Sequence, residues 1–348
     1  MSKSKLLAAL AVAALVSSAA FAQTNVTVYG TVDAGLANST SDRADNIDRK
    51  SGVMGGLLDF NKLGFRGTED LGNGNKAIFQ VETGFDIAQN GGLNTNRESF
   101  VGLQTNRYGT YRLGRLETLD SVAAGRFDAM GMSAFSPLGS VVGRVTYANS
   151  AVDFTKQYGG LTVAAQYSAD GSSANANTAF GVGTKQERSV GVMAAYEKGA
   201  MDVGYAYVKT ANNGRNDADD RGTHVLGGSY ALPLAKVYGA YAIVNSRDLT
   251  ATDIRVAMLG AKVPVNSKTT IDASYARAKD NVTDGNADIW GVQAVYSLSK
   301  RTAGYAGYQY VSNNNTQYAA LNTNGVATQG TGNGVNSSGF GVGVRHNF

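Results

Sequence analysis

The chain has 348 residues, a formal charge of +4, 44 glycines, 18 tyrosines, 3 prolines and no cysteine. Charges this few and this scattered exclude the basic footprint of a nucleic-acid-binding domain, and the missing thiols exclude a disulfide framework and cysteine-ligated metal. The length permits two soluble domains or one large barrel.

Lys3 and Lys5 precede an apolar run from Leu6 to Val16, and small residues then end in Ala20-Phe21-Ala22. Basic start, short apolar core and A-x-A site together read as a secretory signal, residues 1–22, cleaved between Ala22 and Gln23. The run is shorter than the roughly 20 apolar residues a membrane helix needs. Loss of the two leader lysines lowers the charge from +4 to +2. The mature chain, 23–348, is expected to form a single domain, and its lack of cysteine suits an oxidising compartment.

From Val26 the chain reads V-T-V-Y-G-T-V-D-A-G-L. Val26, Val28, Val32, Ala34 and Leu36 share one face, and Thr27, Tyr29, Thr31 and Asp33 share the other, which is the period-two pattern of a strand between oil and water. The pattern returns with Leu161, Val163, Ala165 and Tyr167, with Met201, Val203, Tyr205 and Tyr207, and with Ile271, Ala273 and Tyr275. Counting such segments predicts sixteen strands, centred near residues 31, 64, 80, 102, 112, 148, 163, 193, 204, 226, 240, 258, 273, 292, 306 and 343.

Connections alternate in length. Seven short turns, such as 69–74, 106–109 and 232–234, separate eight long polar stretches near 39–56, 88–97, 116–143, 169–187, 210–221, 246–252, 279–287 and 312–337. Sixteen strands with both termini on one side, short turns there and long loops opposite, define an all-β, 16-stranded antiparallel transmembrane β-barrel. A soluble sandwich would have to bury Asp33, Arg66, Lys76, Glu82, Arg112 and Asp202 in a dry core. Tyr147, Tyr167, Tyr196, Tyr230, Tyr275, Tyr296 and Phe348 fall toward strand ends, where aromatic girdles meet lipid headgroups.

Catalytic and metal readings have little to stand on. The two histidines, His224 and His346, are expected at opposite ends of the barrel, roughly 30 Å apart along about ten strand residues, too far to share a site as hydrolase bases. Asp217-Ala218-Asp219-Asp220 offers oxygen ligands for Ca²⁺ but reads as a solvated loop tip, and the glycine pairs around Gly181 and Gly332 precede no helix that could hold a phosphate. No cofactor and no metal is expected.

The C-terminal G-F-G-V-G-V-R-H-N-F, with Phe340, Val342 and Val344 alternating toward Phe348, resembles the signal that outer-membrane barrels present to their assembly machinery. The opening V-T-V-Y-G-T-V-D-A-G-L, L-G-F-R-G-T-E-D-L-G-N-G from Leu63, A-I-F-Q-V-E-T-G-F from Ala77, R-E-S-F-V-G-L from Arg97 and G-T-Y-R-L-G-R from Gly109 are similar to the Gram-negative general porins, of the beta-proteobacterial and neisserial type. The resemblance covers Val26 to Phe348. It implies a homotrimeric barrel among outer-membrane lipid and lipopolysaccharide, with a third extracellular loop, here Leu116 to Gly143, folded into the pore.

Such a loop would bring Glu117, Asp120 and Asp128 to the constriction, while strand parity turns Lys62, Arg66, Lys76, Arg112 and Arg144 toward water. Loop acids facing wall bases would set a transverse field, and patches of charge are how pores bias ion sign. Arg97 and Arg115 have outward parity or lie at strand ends, which suits them to lipopolysaccharide phosphate or to capping the rim. The excess of wall bases predicts a passage for ions and small hydrophilic solutes with weak anion preference. A substrate-specific anion channel is the alternative, differing only at the constriction.

Overall fold

The computed structural model describes residues 25–42, 49–88, 92–93, 95–142, 146–170, 187–212, 220–246, 252–282, 285–314 and 334–348. The leader and the Ala22–Gln23 bond lie outside them, as do Gly143, Arg144, Gly181, Asp217, Asp219 and Gly332. The sheet opens with β1 (Asn25–Ser41), β2 (Arg49–Gly55), β3 (Lys62–Gly72), β4 (Asn75–Gly84), β5 (Thr95–Thr105) and β6 (Gly109–Glu117). Helices α1 (Leu119–Phe127) and α2 (Pro137–Val142) precede β7 (Tyr147–Tyr158), β8 (Leu161–Asp170), β9 (Glu187–Lys198), β10 (Met201–Asn212) and β11 (Arg221–Ala231). Then come β12 (Lys236–Ser246), β13 (Thr252–Pro264), β14 (Thr269–Asp280), β15 (Gly285–Ser297), β16 (Thr302–Asn313) and β17 (Ser337–Asn347).

Neighbouring strands are antiparallel throughout, and β1 meets β17 from Thr31↔Asn347 to Ser41↔Ser337, so the sheet closes on itself. Gly30 and Phe348 complete the seam through reciprocal backbone hydrogen bonds of 3.2 and 3.1 Å. Closure removes the free edges that hydrocarbon could not satisfy. The lower half of β1, Asn25 to Thr31, pairs with β3, and its upper half, Ala34 to Thr40, pairs with β2. Hence β2 and β3 are one stave interrupted at residues 56–61, and the barrel has sixteen staves.

Each of the sixteen expected strand centres falls inside a strand. The piece that sequence patterning misses is β2 with the end of β1, both of which occupy the expected loop 39–56. There the chain reads N-S-T-S and K-S-G, too polar on both faces for the apolar alternation that announces a strand. The seven short turns are in place; at Asn73-Gly74 both residues have positive φ, 53° and 74°, the hairpin geometry that N-G favours.

Outward side chains are apolar and exposed, among them Leu226, Trp290 and the C-terminal Phe340, Val342, Val344 and Phe348. Tyr275 and Trp290 stack outward with ring centroids 4.3 Å apart. Of the expected girdle, Tyr167, Tyr196, Tyr230 and Tyr296 are outward and exposed, but Tyr147 is 3 % exposed and belongs to the interior. The inner face is not uniformly polar either. Inward Ile254, Val256, Met258 and Ile289 are no more than 2 % exposed, because the segment between β6 and β7 covers them.

Candidate functional site

Residues 118–142 leave the top of β6 and pack on the inner face of the barrel. α1 rests on β8 to β12 and α2 on β13 to β15. Phe127 lies over Gly204 and Gly227, and Phe135 over Gly307 and Gly341. The fit depends on the wall lacking side chains there: a Cβ on Gly227 would stand 2.4 Å from the Phe127 ring, and one on Gly307 2.3 Å from the Phe135 ring. Each buried ring contributes about 1.5–3 kcal/mol. Polar ties complete the seat. Ser133 donates to Gln293 at 2.7 Å, Gln293 donates to the Met130 carbonyl at 3.3 Å, and Arg126 forks onto Asp202 at 2.8 to 3.0 Å while reaching Glu197 at 3.4 Å.

The interrupted stave helps to hold this segment. Asp33, fully buried, accepts the backbone N–H groups of Leu58 and Asp59 at 2.8 and 2.7 Å and the Tyr305 hydroxyl. Its own N–H donates to Asn61 Oδ1 at 2.5 Å. These bonds fix residues 56–61 as a strap that carries Leu57 inward, where it packs with Phe135 and its carbonyl accepts the Ala134 N–H at 2.7 Å.

The opposite inner wall, from β3 to β7, carries ion pairs. Arg112 grips Asp153, its cross-strand neighbour, at 2.5 and 3.1 Å and reaches Glu98 at 3.2 Å. Glu82 accepts the Tyr29 hydroxyl at 2.9 Å and pairs with Arg97. This corrects the outward reading of Arg97. The β4–β5 register slips between Val81 and Thr83, and the bulge turns Arg97 to the lumen beside Glu82. A second slip between Gly114 and Leu116 displaces Arg115, which bonds Asn149 and lies 5.0 Å from the Tyr147 ring, with Arg97 5.6 Å from the same ring. Neither arginine is a rim residue directed at lipopolysaccharide, and Tyr147 is drawn inward between them.

The expected wall bases fall into two groups. Arg112 is neutralised within the ion-pair lattice, and Lys62 lies 3.4 Å from Asp59. Arg66 and Lys76 are exposed on the inner face nearer the short-turn end. Arg144 lies outside the described residues. The expected loop acids also separate. Asp120 is half-buried in the first turn of α1. Glu117 accepts Ser121 Oγ at 2.8 Å and stands beside Arg97 and Glu98, on the same side of the lumen as the bases instead of across from them. Asp128 does not line the channel at all. It is 4 % exposed and accepts the Met130 and Met132 N–H groups at 3.3 and 2.5 Å, closing the turn after α1. Burial pushes its carboxyl above the ordinary range, against the pull of those donors. The polarity expected between loop and wall is reversed at Arg126, a loop base held by the wall acids Asp202 and Glu197.

Sequence parity places Glu82 inward but misses Glu98, Arg97, Arg126 and Asp153 as members of the lumen lattice. The Arg112–Asp153 pair becomes visible only once the β6–β7 register is known. His224 contacts the Tyr205 hydroxyl at 2.7 Å and His346 the Thr302 hydroxyl at 2.9 Å, both on the outer face. Asp220 pairs with Lys209 at 2.7 Å, and no cluster of three metal-ligating side chains occurs among the described residues.

A closed antiparallel barrel with an apolar outer surface, an inner wall charged on one side and a segment of its own chain packed inside it is a transmembrane channel protein. The chain belongs to the Gram-negative porin family, whose model matches residues 9–316. It is 32% identical over 360 residues to outer membrane porin protein 32 of Delftia acidovorans, covering 99% of each chain. Major outer membrane protein P.IB of Neisseria meningitidis is 43% identical over 117 residues, about a third of each chain (33% and 34%). Among solved structures, an anion-selective porin from Comamonas acidovorans superposes with a TM-score of 0.80 at 27% identity, covering 94% of this chain and 100% of that one. The protein is therefore a porin of the Gram-negative outer membrane, a water-filled passage for passive diffusion of ions and small hydrophilic solutes. Its family are channels rather than enzymes.

Proposed function

We propose that this porin passes anions in preference to cations. The observation that carries the reading is the state of the inward charges. Asp33, Glu82, Asp153 and Asp202 are each held by hydrogen bonds or arginines of the wall and loop, whereas Arg66 and Lys76 stand exposed to the lumen. The mobile ion therefore meets positive charge that is less compensated than the negative. The anion-selective relative from Comamonas supports the same sign. Lys62 and Arg112 of the wall, Glu117 and Asp120 at the loop root, and Arg144, which lies outside the described residues, tune the bias. A reversal potential in a KCl gradient tests it: the chloride side of zero is expected, and a cation-selective potential would overturn it.

The remaining assignments follow the same reading. The leader is cleaved between Ala22 and Gln23, leaving 23–348 as one barrel domain; the N-terminal sequence of the purified protein tests this. Phe340, Val342, Val344 and Phe348 form the outward signal for the barrel-assembly machinery. The barrel works as a homotrimer among lipid and lipopolysaccharide, with no cofactor and no chemical turnover. Unboiled gels are expected to show a heat-labile trimer band, and migration as a monomer alone would remove the trimer.

A further inference from the structure

We propose that the barrel gathers anionic phospholipid around the outside of its periplasmic rim, with Arg107, Lys156, Lys198, Lys268 and Lys300 reaching the headgroup phosphates of the inner leaflet. A contrast between the two rims carries the inference. At the loop rim, outward cations have acid partners: Lys209 meets Asp220 at 2.7 Å, Arg255 meets Asp253 at 3.3 Å and Arg277 meets Asp288 at 3.9 Å. At the short-turn rim, which faces the periplasm, none of the five cations forms an ion pair among the described residues. They lie in or beside the turns β5–β6, β7–β8, β9–β10, β13–β14 and β16's entry, so the positive belt runs most of the way around the barrel. Among the described side chains, Glu69 is the acid with outward parity at this level; Glu197 turns inward to Arg126, and Asp70 accepts the Gly72 N–H at 2.8 Å.

The height of these cations selects lipid over a hydrated polymer of the periplasm. Residues two apart on a strand share a face. Lys156 and Tyr158 therefore share the outer face of β7, and Tyr196 and Lys198 that of β9, each pair about 7 Å apart along the strand. Lys300 follows the exposed Leu298, and Arg107 stands with its guanidinium carbon 5.4 Å from the Tyr108 ring centroid. Exposed tyrosines mark the level of the headgroups. A cation one or two residues from them stands beside the phosphates, with its methylene stem laid along the apolar surface. Lys156 donates to the Asn106 and Arg107 carbonyls at 2.9 and 3.0 Å, which ties two turns together and leaves its charge uncancelled. A zwitterionic headgroup brings its own cation to the phosphate, whereas phosphatidylglycerol brings none, and basic groups close to a membrane surface favour the lipid with net negative charge.

The test is electron spin resonance of spin-labelled phosphatidylglycerol and phosphatidylcholine with the intact porin in phosphatidylcholine vesicles, which reads the share of each lipid immobilised at the barrel. At low salt the wild type is expected to favour phosphatidylglycerol about fivefold. The triple variant Lys198→Gln, Lys268→Gln, Lys300→Gln, whose side chains make no contact that the barrel needs, is expected to lose more than half of that preference. Lys209→Gln at the loop rim is expected to keep it. In about 1 M KCl, where the screening length falls to about 3 Å, the wild-type preference should largely vanish; this arm needs no variant to fold. Unboiled gels establish that each variant is a folded barrel before it is measured. No preference in the wild type, a preference that survives high salt, or an equal preference in the triple variant overturns the proposal. Retention of the wild type, but not the triple variant, on purified peptidoglycan without any lipid preference overturns it in favour of the wall polymer.

Discussion

The inner wall has two regions that meet different neighbours. From β8 to β17 much of it faces a piece of its own chain: glycine, alanine and aliphatic residues seat Phe127, Phe135 and Leu138, while Asp202 and Gln293 tie the segment by hydrogen bonds. From β3 to β7 it faces water and is built from arginine, glutamate and aspartate tied to each other. Both regions have the same strand parity and the same backbone. Parity therefore tells which side chains point inward, and the third loop decides whether inward means dry or wet.

The most damaging change is expected on the dry side. Phe135→Ala removes a ring that is 1 % exposed and seated on Gly307 and Gly341, at a cost of about 3–5 kcal/mol. Because the barrel strands are untouched, the cost should fall on the loop. Single-channel records are expected to show larger and noisier conductance with normal heat-modifiable migration. A quiet channel of wild-type conductance would mean that the loop is held by something other than its aromatic seats.

The wet side should respond next, and in selectivity more than in conductance. Arg112→Gln leaves Asp153, 2 % exposed, and Glu98 without their cation, at a cost of about 2 kcal/mol after allowance for the arginine's partial exposure. Two carboxylates released toward the lumen should move the reversal potential toward cations. If it does not move, the lattice is structural and the sign of the channel is set elsewhere.

These two regions also mark the boundary of what is legible in the chain. Alternation such as Val26, Val28 against Thr27, Tyr29 requires only a local period, and it places all sixteen staves and all seven turns. The loop position is legible as a long gap between Arg115 and Tyr147. Its seating is not, since Gly227 and Gly307 look like any other strand glycine until Phe127 and Phe135 are placed over them. Arg97 and Arg115 are misread for a different reason: a bulge shifts parity by one residue, and a shift of one exchanges lipid for lumen. Asp128 carries the charge of a constriction residue, yet a turn of its own backbone absorbs it.

The strap at residues 56–61 joins the two regions, and its weakening should be milder. Asp33→Asn keeps the shape but replaces one of the two acceptor oxygens shared by Leu58, Asp59 and Tyr305 with an amide donor, at a cost of about 1–3 kcal/mol. Since Leu57 passes the constraint to Ala134, brief openings of the loop are expected, visible as added current noise without a change in mean selectivity. A shift in ion sign with no added noise would place Asp33 in the wet lattice instead of the strap.

The smallest effect is expected at Asp120, where the two regions begin to part. Its carboxylate sits in the first turn of α1, half-buried, and accepts the Ser121 N–H at 3.0 Å. An acid at a helix N-terminus contributes about 0.3–1 kcal/mol through the aligned peptide dipoles. Asp120→Asn should therefore leave migration and conductance unchanged within error. It also removes one negative charge from the loop side, so the reversal potential should move slightly toward anions, opposite to the shift from Arg112→Gln. Because the two substitutions act on opposite charges of one narrow zone, their combination should bring the potential back part of the way toward the wild type. A double variant as cation-shifted as Arg112→Gln alone would show that Asp120 lies outside the field that passing ions feel.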